Sequence, residues 1–400
     1  HIGTTFAPFP PESRMSPHLI RIDALRGVAI LMVMQLHIFF ITFAYDYLNF
    51  PAAARNLLRS GGAGVDLFFI LSAYLLTSNL LRQRDRPGVI TTFFMRRALR
   101  ILPMFIILIF SGFAIEALWL KAGGATDVWL WHDHYPFSTY LLFLQNWRLG
   151  LDGHWSAQFF APTWSLAVEE HFYLLLPLIA TRLEPRRLAI VAIAWILLAA
   201  PTRIFVLLEF GGIAPTTWTI ARLDAFGWGI LIALAPNLWP SLAKRFDPRL
   251  AIGAGSALFV IVVLFAPYLL PGGRNDNVFG TTWVDLAMAL ITFGVVNQKA
   301  EPLQPGAVMR SLAWCGVRCY SLYLVHFPML GLIFLASGRI QKPKVDDLST
   351  LGLALFATAM AFIIADICYR RIERPFLELA GRFAPHRGLI AETIAIPVAE

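Results

Sequence analysis

The chain has 400 residues, of which 58% are hydrophobic and only 14% are charged, and its formal net charge is +8. Soluble domains have about 25% charged residues, so this chain has too little polar surface for a soluble globule. The composition indicates a membrane protein. No nucleic-acid-binding motif accompanies the positive charge, and we expect no nucleic-acid partner.

Ten apolar stretches are long enough, at about 20 residues, to cross a bilayer as helices. The sequence therefore predicts an all-α polytopic membrane protein with about ten transmembrane helices. The predicted spans are residues 24–45, 63–82, 100–120, 164–182, 187–208, 219–235, 250–270, 281–297, 312–336 and 350–370.

Lys and Arg are distributed unevenly between the two sets of connecting segments. With the amino terminus inside, the inner segments hold 21 of them and the outer segments hold nine, among which we count Arg203 at the end of the fifth span. Because positive residues accumulate on the cytoplasmic side, both termini are predicted to be cytoplasmic. Residues 1–14, with three prolines, are expected to be a disordered arm or an expression remnant.

The longest connection, residues 121–163, is predicted to lie outside and is rich in aromatic side chains. Such rings can stack on a sugar, or they can form the aromatic belt of a membrane interface, which is the commoner arrangement. The sequence leaves both interpretations open. The aromatic residues are Trp129, Trp131, Tyr135, Phe137, Trp147, Trp155 and Phe159.

Ionisable side chains inside predicted spans are candidates for function, because charge is costly in lipid. In the first span Arg26 and His37 are eleven residues apart. This spacing is about 16 Å of helical rise and returns to nearly the same helix face. Both side chains can therefore line one channel.

Helical rise places several ionisable side chains at one depth. His37, His326 and the pair Glu169 and Glu170 all fall about 8 to 10 Å below the outer edge of a hydrocarbon core about 30 Å thick. A neutral histidine can take the proton of a hydroxyl that attacks an acyl carbon, and a carboxylate can orient the ring. Four more ionisable residues fall slightly nearer the outside: Asp66, Arg222, Asp224 and Asp285.

Three arginines, Arg96, Arg97 and Arg100, precede the third span within about one helical turn. Guanidinium groups match phosphate geometry, so a phosphorylated donor such as coenzyme A can bind there beside Arg26. The alternative is a positively charged anchor or a contact with anionic lipid. No GxSxG motif occurs, so the acyl group is expected to arrive on an external carrier. The three cysteines lie in apolar stretches, and no metal is implied.

Seven motifs together resemble the bacterial integral-membrane acyltransferase family 3, over roughly residues 22 to 376. The resemblance implies an acyltransferase membrane domain over 15–376, a cytoplasmic tail over 377–400 and a multi-pass location in the bacterial inner (cytoplasmic) membrane. It also suggests a stand-alone form without the SGNH hydrolase-like domain of many relatives. The motifs are IDALRGVAILMVMQLH, GVDLFFILSAYLLT, FFMRRALRILP, TWSLAVEEHFYLLLP, RLDAFGWGILIAL, SLYLVHFP and YRRIERPF.

The resemblance also implies roles for single residues. Arg26 and His37 match the family's transfer pattern, and Arg97 with Arg100 match its RxxR motif for acyl-CoA. The family's SGF reads SAY here, so Ala73 and Tyr74 are expected to reshape the pocket near Ser72. The predicted catalytic residues are His37, Glu169, Glu170 and His326, with Glu373 in a further motif. The predicted donor-binding residues are Arg26, Arg96, Arg97 and Arg100. The predicted acceptor-binding residues are Asp66, Ser72, Tyr74, Trp164, Arg222 and Asp224.

We therefore expect an enzyme that moves an acetyl or other short acyl group from cytoplasmic acyl-CoA to a hydroxyl of a glycan or glycolipid. The expected partners are this carbohydrate acceptor and the lipid bilayer, with acetyl-CoA as donor and no metal. Two alternatives stay open. One is an acyltransferase for a secreted small molecule such as a macrolide or lipochitin oligosaccharide, and the other is a proton-coupled or acyl transporter. The sequence makes no prediction of an oligomeric state.

Overall fold

The computed structural model describes residues 17–40, 52–265, 279–298, 305–339, 344–345 and 347–382. Within these ranges the chain forms helices and no strand, which confirms the all-α prediction. The predicted arm, residues 1–14, lies outside the described residues, as do residues 383–400 of the predicted tail.

The α-helices of the described ranges are numbered in chain order, and a long described connection follows the fourth. Their bounds are α1 Pro17–Gln35, α2 Ala52–Arg59, α3 Ala63–Gln83, α4 Val89–Lys121, α5 Phe137–Leu141, α6 Gln145–Asp152, α7 Thr163–Arg182, α8 Pro185–Phe210, α9 Ala214–Thr217, α10 Leu223–Leu238, α11 Pro240–Arg245, α12 Pro248–Phe265, α13 Phe279–Asn297, α14 Ala307–Val317, α15 Cys319–Ala336, α16 Leu348–Cys368 and α17 Arg374–Arg382.

In the part of the chain that the structure describes, eight helices are long and apolar enough to cross a membrane. They correspond to the predicted spans other than the first and the fourth. Those two also form helices, α1 and α7, of 19 and 20 residues, and they carry Arg26 and the pair Glu169 and Glu170. The chain is therefore a multi-pass membrane protein.

The predicted ninth span, 312–336, is wrong as one helix. The chain breaks at Arg318 into α14 and α15. Arg318 Nε donates to Asp366 Oδ1 at 2.6 Å, and its guanidinium lies 4.0 Å from the centre of the Trp314 ring. These contacts pair a buried charge at the break, because an unpaired arginine would be costly in the interior.

The predicted third span begins earlier than its hydropathy indicated. Helix α4 begins at Val89, so the three arginines of the FFMRRALRILP motif lie on the helix rather than before it. Arg96 and Arg97 are four and three residues from Arg100, spacings that place helical side chains on one side.

Two glycines bring α1 close to α14. A Cβ atom on Gly316 would lie 1.7 Å from the main-chain oxygen of Asp23, and one on Gly27 would lie 1.9 Å from that of Leu312. Only glycine fits so close a helix crossing. Arg26 lies beside this crossing and donates to Asp23 at 3.3 Å, so the crossing fixes its position.

Helix α3 lies in the interior of the bundle, where it packs against α1, α7, α10 and α13. A Cβ atom on Gly229 of α10 would lie 2.5 Å from the Cβ of Ala73, so both positions need a small side chain. By contrast, α8, α12 and α16 lie at the periphery, with 22% of their most apolar segments buried. The polar residues of α3 are therefore shielded from lipid.

The aromatic residues of the outer connection are mostly packed inside the protein. Trp131 and Phe159 are each 2% exposed, and Tyr135 is 6% exposed. Burial, together with the Asp152 carboxylate that accepts its hydroxyl at 2.8 Å, raises the pKa of Tyr135 well above its usual range. Neither a sugar platform nor an interfacial belt describes these three residues. Trp155, 42% exposed, is available to either.

Candidate active site

The structure brings the two intramembrane histidines into contact. His37 lies on a turn of π-helix, Leu36–Phe40, that continues α1, and His326 lies in the middle of α15. The Nε2 atom of His326 is 3.1 Å from the Nδ1 atom of His37, and the ring centroids are 4.9 Å apart. Single π-helical turns are frequent at functional sites, and this one carries the ring that meets His326.

Hydrogen bonds to main-chain carbonyls assign the tautomer of both rings. Nδ1 of His326 is 3.0 Å from the carbonyl oxygen of Leu322, and Nδ1 of His37 is 2.9 Å from that of Val33. A carbonyl oxygen only accepts, so both Nδ1 atoms carry a hydrogen. The single Nδ1 hydrogen of His37 is therefore shared between Val33 O and His326 Nε2, which both accept it. The lone pair of His37 Nε2 stays unused within the described part of the chain.

Aromatic rings enclose the pair. The Phe327 ring lies 4.6 Å from the His37 ring, and Trp129 of the outer connection contacts Phe327 edge to face at 5.9 Å. His326 is 3% exposed, whereas His37 is half-buried. His37 is therefore the imidazole that a bound molecule can reach.

A cavity of about 740 Å³ lies between α1, α3, α4, α7 and α15. Tyr323 connects it to the histidines, because the Tyr323 ring lines the cavity and lies 6.0 Å from the ring of His326. Five residues predicted for the site line the cavity: Arg26, Ser72, Arg97, Arg100 and Glu169.

Glu169 belongs to a hydroxyl network in the cavity wall. Ser72 Oγ donates to Glu169 Oε1 at 3.0 Å, and the Tyr173 hydroxyl donates to Ser72 Oγ at 3.2 Å. The Arg97 guanidinium lies 5.1 Å from the centre of the Tyr173 ring. Within the described residues, the two imidazoles hydrogen-bond to carbonyls and to each other. Glu169 lines the cavity instead. The expected hydrogen bond between a carboxylate and His37 is therefore not present among the described residues.

A second cavity, of about 590 Å³, lies between α3, α4 and α17, toward the predicted cytoplasmic face. Arg96 lines this cavity, and Arg97 and Arg100 line both. Two guanidinium groups thus lie at the junction of the two cavities, and a third lies in the smaller one. This is a suitable environment for phosphate groups, which arginine binds through its planar fork of donors.

One face of α3 lines both cavities. The lining residues recur every three or four positions from Val65 through Ser72 and Leu76 to Gln83, which is the helical period. From Val65 to Gln83 the rise is about 27 Å, close to the thickness of a hydrocarbon core. The cavities therefore follow α3 across most of the membrane.

Three of the predicted acceptor-binding residues lie instead in a buried ionic cluster. Arg222 pairs with Asp66, and Arg203 donates to both carboxylate oxygens of Asp224 at 3.1 and 2.8 Å. All four residues are 3% exposed or less, and none of them lines the two cavities. The assignment of Arg203 to an outer segment is wrong, because its pair with Asp224 holds it inside the bundle.

Other predicted residues also lie off the cavity walls. Tyr74 lies on α3 but on another face, and Glu170 has an Oε1 atom that is shielded and lacks a hydrogen-bond partner among the described residues. Trp164 lies at the outer end of α7, with its ring 6.2 Å from that of Trp155. Glu373 accepts from Ser321 Oγ at 2.8 Å.

Sequence reasoning missed the tyrosines of the cavity. Tyr173 is four residues after Glu169, and Tyr323 is three residues before His326, spacings that place them on the same helix faces as those predicted residues. The Tyr323 hydroxyl lies 2.5 Å from Ser165 Oγ. This helical spacing could have identified both tyrosines, but a tyrosine in an apolar span has the same pattern as an ordinary packing residue.

Metal-ligating side chains are scattered. In the described ranges no group of three or more His, Cys, Asp or Glu side chains could hold a metal ion. Cys315 and Cys319 flank the break between α14 and α15, and both are buried. The polar groups of the cavities are arginines, hydroxyls, the amides of Asn79 and Gln83 and one carboxylate, a set in which the arginines fit an organic phosphate.

Known proteins match the chain over nearly its whole length. A family model described as an acyltransferase domain matches residues 19–370. A putative O-acetyltransferase of Staphylococcus aureus strain MRSA252 is 27% identical over 94% of this chain and 61% of its own length. The O-acetyltransferase OatA of Staphylococcus aureus strain NCTC 8325 is 25% identical over 96% of this chain and 62% of its own length.

The chain spans about three fifths of the length of these curated relatives. No solved structure matches it significantly. The family match covers the helices that carry the contacting histidines and the arginine-lined cavities, in agreement with the resemblance seen in the motifs. The chain therefore belongs to the family of the acyltransferase domain.

Proposed function

We propose that the protein is a membrane O-acyltransferase that takes an acetyl or other short acyl group from acyl-CoA and transfers it to a hydroxyl of a glycan or glycolipid. The arrangement of the cavities carries this proposal: arginines lie at their junction, and the contacting histidines lie beyond the outer end. Membership of the acyltransferase family and the names of the two relatives support it. The proposed location is the bacterial inner membrane.

The donor enters from the predicted cytoplasmic side. Its phosphates bind at Arg96, Arg97 and Arg100, where the smaller cavity opens. Its extended arm then follows α3 into the larger cavity, where Ser72 and Glu169 offer a hydroxyl and a carboxylate to its amides. The phosphates thereby stay near the aqueous face, which avoids the cost of carrying them into the membrane.

The chemistry needs one group that takes a proton from the acceptor hydroxyl and returns it to the leaving thiolate. His37 Nε2 takes the proton from the acceptor hydroxyl as its oxygen attacks the thioester carbonyl. The resulting imidazolium is stabilised by Val33 O and by His326 Nε2, which both accept from Nδ1. The carbon–sulfur bond then breaks, the acceptor keeps the acyl group as an ester, and the thiolate receives the proton. No proton is gained or lost overall.

Turnover of acetyl-CoA by the purified protein, with free thiol release as the signal and a pool of bacterial glycans as acceptors, tests this proposal. His37→Ala should abolish release in a folded protein, while His154→Ala, an exposed histidine of the outer connection, should leave it unchanged. Equal release by wild type and His37→Ala would remove His37 from the reaction. Flux of acyl groups or protons across vesicles without thiol release would instead identify a transporter.

A further inference from the structure

We propose that Phe68 and Tyr323 set the length of the acyl group and limit the donor to chains of a few carbons. The inference rests on the proposed function. The two rings line the larger cavity and meet edge to face, with centroids 6.4 Å apart and planes at 79°. With Phe69, whose ring stacks on Phe226 instead, they are the aromatic side chains at its outer end.

The cavity changes from polar to apolar along α3. Ser72 is the last polar residue of α3 that lines it; Phe68 and Val65 follow at about 6 and 10 Å of helical rise toward the outside. Leu166 of α7 faces the same end. Ser165 also lines the outer end, but its hydroxyl is engaged with Tyr323 and the Pro162 carbonyl oxygen. The space beyond Ser72 therefore suits an apolar group.

Tyr323 is held firmly enough to limit the length of the acyl group. Its hydroxyl lies 2.5 Å from Ser165 Oγ and donates to the Pro162 carbonyl oxygen at 2.8 Å. These two partly buried hydrogen bonds hold the ring in place, because turning it away would break both. Phe68 packs against the fixed ring from the opposite helix.

The Phe68 and Tyr323 rings also lie close to the proposed reaction site. The Tyr323 ring is 6.0 Å from the ring of His326, which contacts His37. A short acyl group that ends at the two rings leaves its carbonyl at this level. A longer chain has to push the rings apart or draw the carbonyl back toward Ser72. An apolar pocket discriminates by about 10- to 200-fold for each misplaced methylene.

The test compares acyl-CoA donors of two, four, six and eight carbons with the full chain in nanodiscs, with free thiol release as the signal. Wild type should prefer the shortest donors. Phe68→Ala should raise kcat/KM for the six-carbon donor relative to the two-carbon donor by about tenfold or more. Phe205→Ala removes an equally large ring from the membrane-facing surface of α8 and should keep the wild-type profile.

Variants of Tyr323 provide a second test. Tyr323→Leu should shift the profile in the same direction, while Tyr323→Phe keeps the ring but loses its two hydrogen bonds and should shift the profile less than Tyr323→Leu. Where a folded variant is too slow to assay, the stabilisation of the protein by non-hydrolysable acyl-CoA thioethers of the same lengths replaces turnover as the signal.

An unchanged length profile in both Phe68→Ala and Tyr323→Leu would overturn the inference and leave the proposed function intact. Failure of wild type to release thiol from any of the donors would overturn the proposed function itself.

Discussion

The imidazole of His326 accepts a hydrogen bond from that of His37, with Nε2 and Nδ1 3.1 Å apart, although 289 residues separate them in the chain. A main-chain carbonyl fixes the tautomer of each ring. His326 therefore occupies the place that a carboxylate takes in many catalytic triads, where it orients a basic histidine and stabilises its protonated form.

In the proposed reaction His326 positions His37, so the effect of replacing it should depend on whether the new side chain can accept a hydrogen bond. We expect His326→Phe to lower kcat by about 10²-fold, whereas His326→Gln, whose amide oxygen can accept from His37, should recover at least about tenfold of that loss. Thiol release by folded variants measures both. Equal activity of the Gln and Phe variants would show that only the volume of residue 326 matters.

Arg97 should affect donor binding more than the chemical step. Its guanidinium lines both cavities, so Arg97→Ala should raise the KM for acyl-CoA with a smaller change in kcat. Arg97→Lys should also raise KM, because a lysine keeps the charge but loses the planar fork. Arg187→Ala, on the exposed start of α8, is the matched control and should behave as wild type. A lower kcat at unchanged KM would place Arg97 in the transition state instead.

Much of the fold could be predicted because its signals are local. Apolar length alone located helices at the predicted spans within the described residues, although the ninth span is two helices rather than one and parts of the first and seventh spans lie outside those residues. Helical rise placed His37 and His326 at one depth, where the structure shows them in contact. Their adjacency within the bundle was not readable, since hydropathy gives the depth of a residue but not the neighbours of its helix.

Ion pairs between residues that are distant in the chain explain the features of the fold that the sequence did not reveal. Arg203 was assigned to the outside by its position near a helix end, whereas its partner Asp224 on another helix holds it in the interior. Arg318 breaks an apolar run for a similar reason, through Asp366, 48 residues away. Such contacts leave no periodic pattern, and the tyrosines of the cavity look like ordinary packing residues.

The pair between Arg203 and Asp224 should be important for stability. Both side chains are fully buried, so Arg203→Ala leaves an unpaired carboxylate in the interior and should cost about 3–5 kcal/mol. Replacing both partners together with Met and Leu should recover much of this loss, because the double variant buries no lone charge. Thermal unfolding in detergent measures the loss of stability in each variant, and Arg249→Ala, at an exposed residue, is the control. A single variant as stable as wild type would mean that water or another group reaches Asp224.

The crossing of α1 and α14 gives a sharper comparison, between two substitutions of the same kind. At Gly316 a Cβ atom would lie 1.7 Å from the main-chain oxygen of Asp23, whereas at Gly253 of α12 it would meet nothing within 4 Å. Gly316→Ala should therefore force the helices apart and destabilise the protein by about 1–3 kcal/mol or more. Gly253→Ala should be neutral or slightly stabilising, since alanine is the better helix former.

Activity should follow the same contrast, because Arg26 lies beside Asp23 on the helix that Gly316→Ala displaces. Donor KM should rise in Gly316→Ala even below its unfolding temperature, and it should stay at the wild-type value in Gly253→Ala. If both variants unfold and turn over alike, the two helices are not held at this distance, and the crossing does not position Arg26 for the donor.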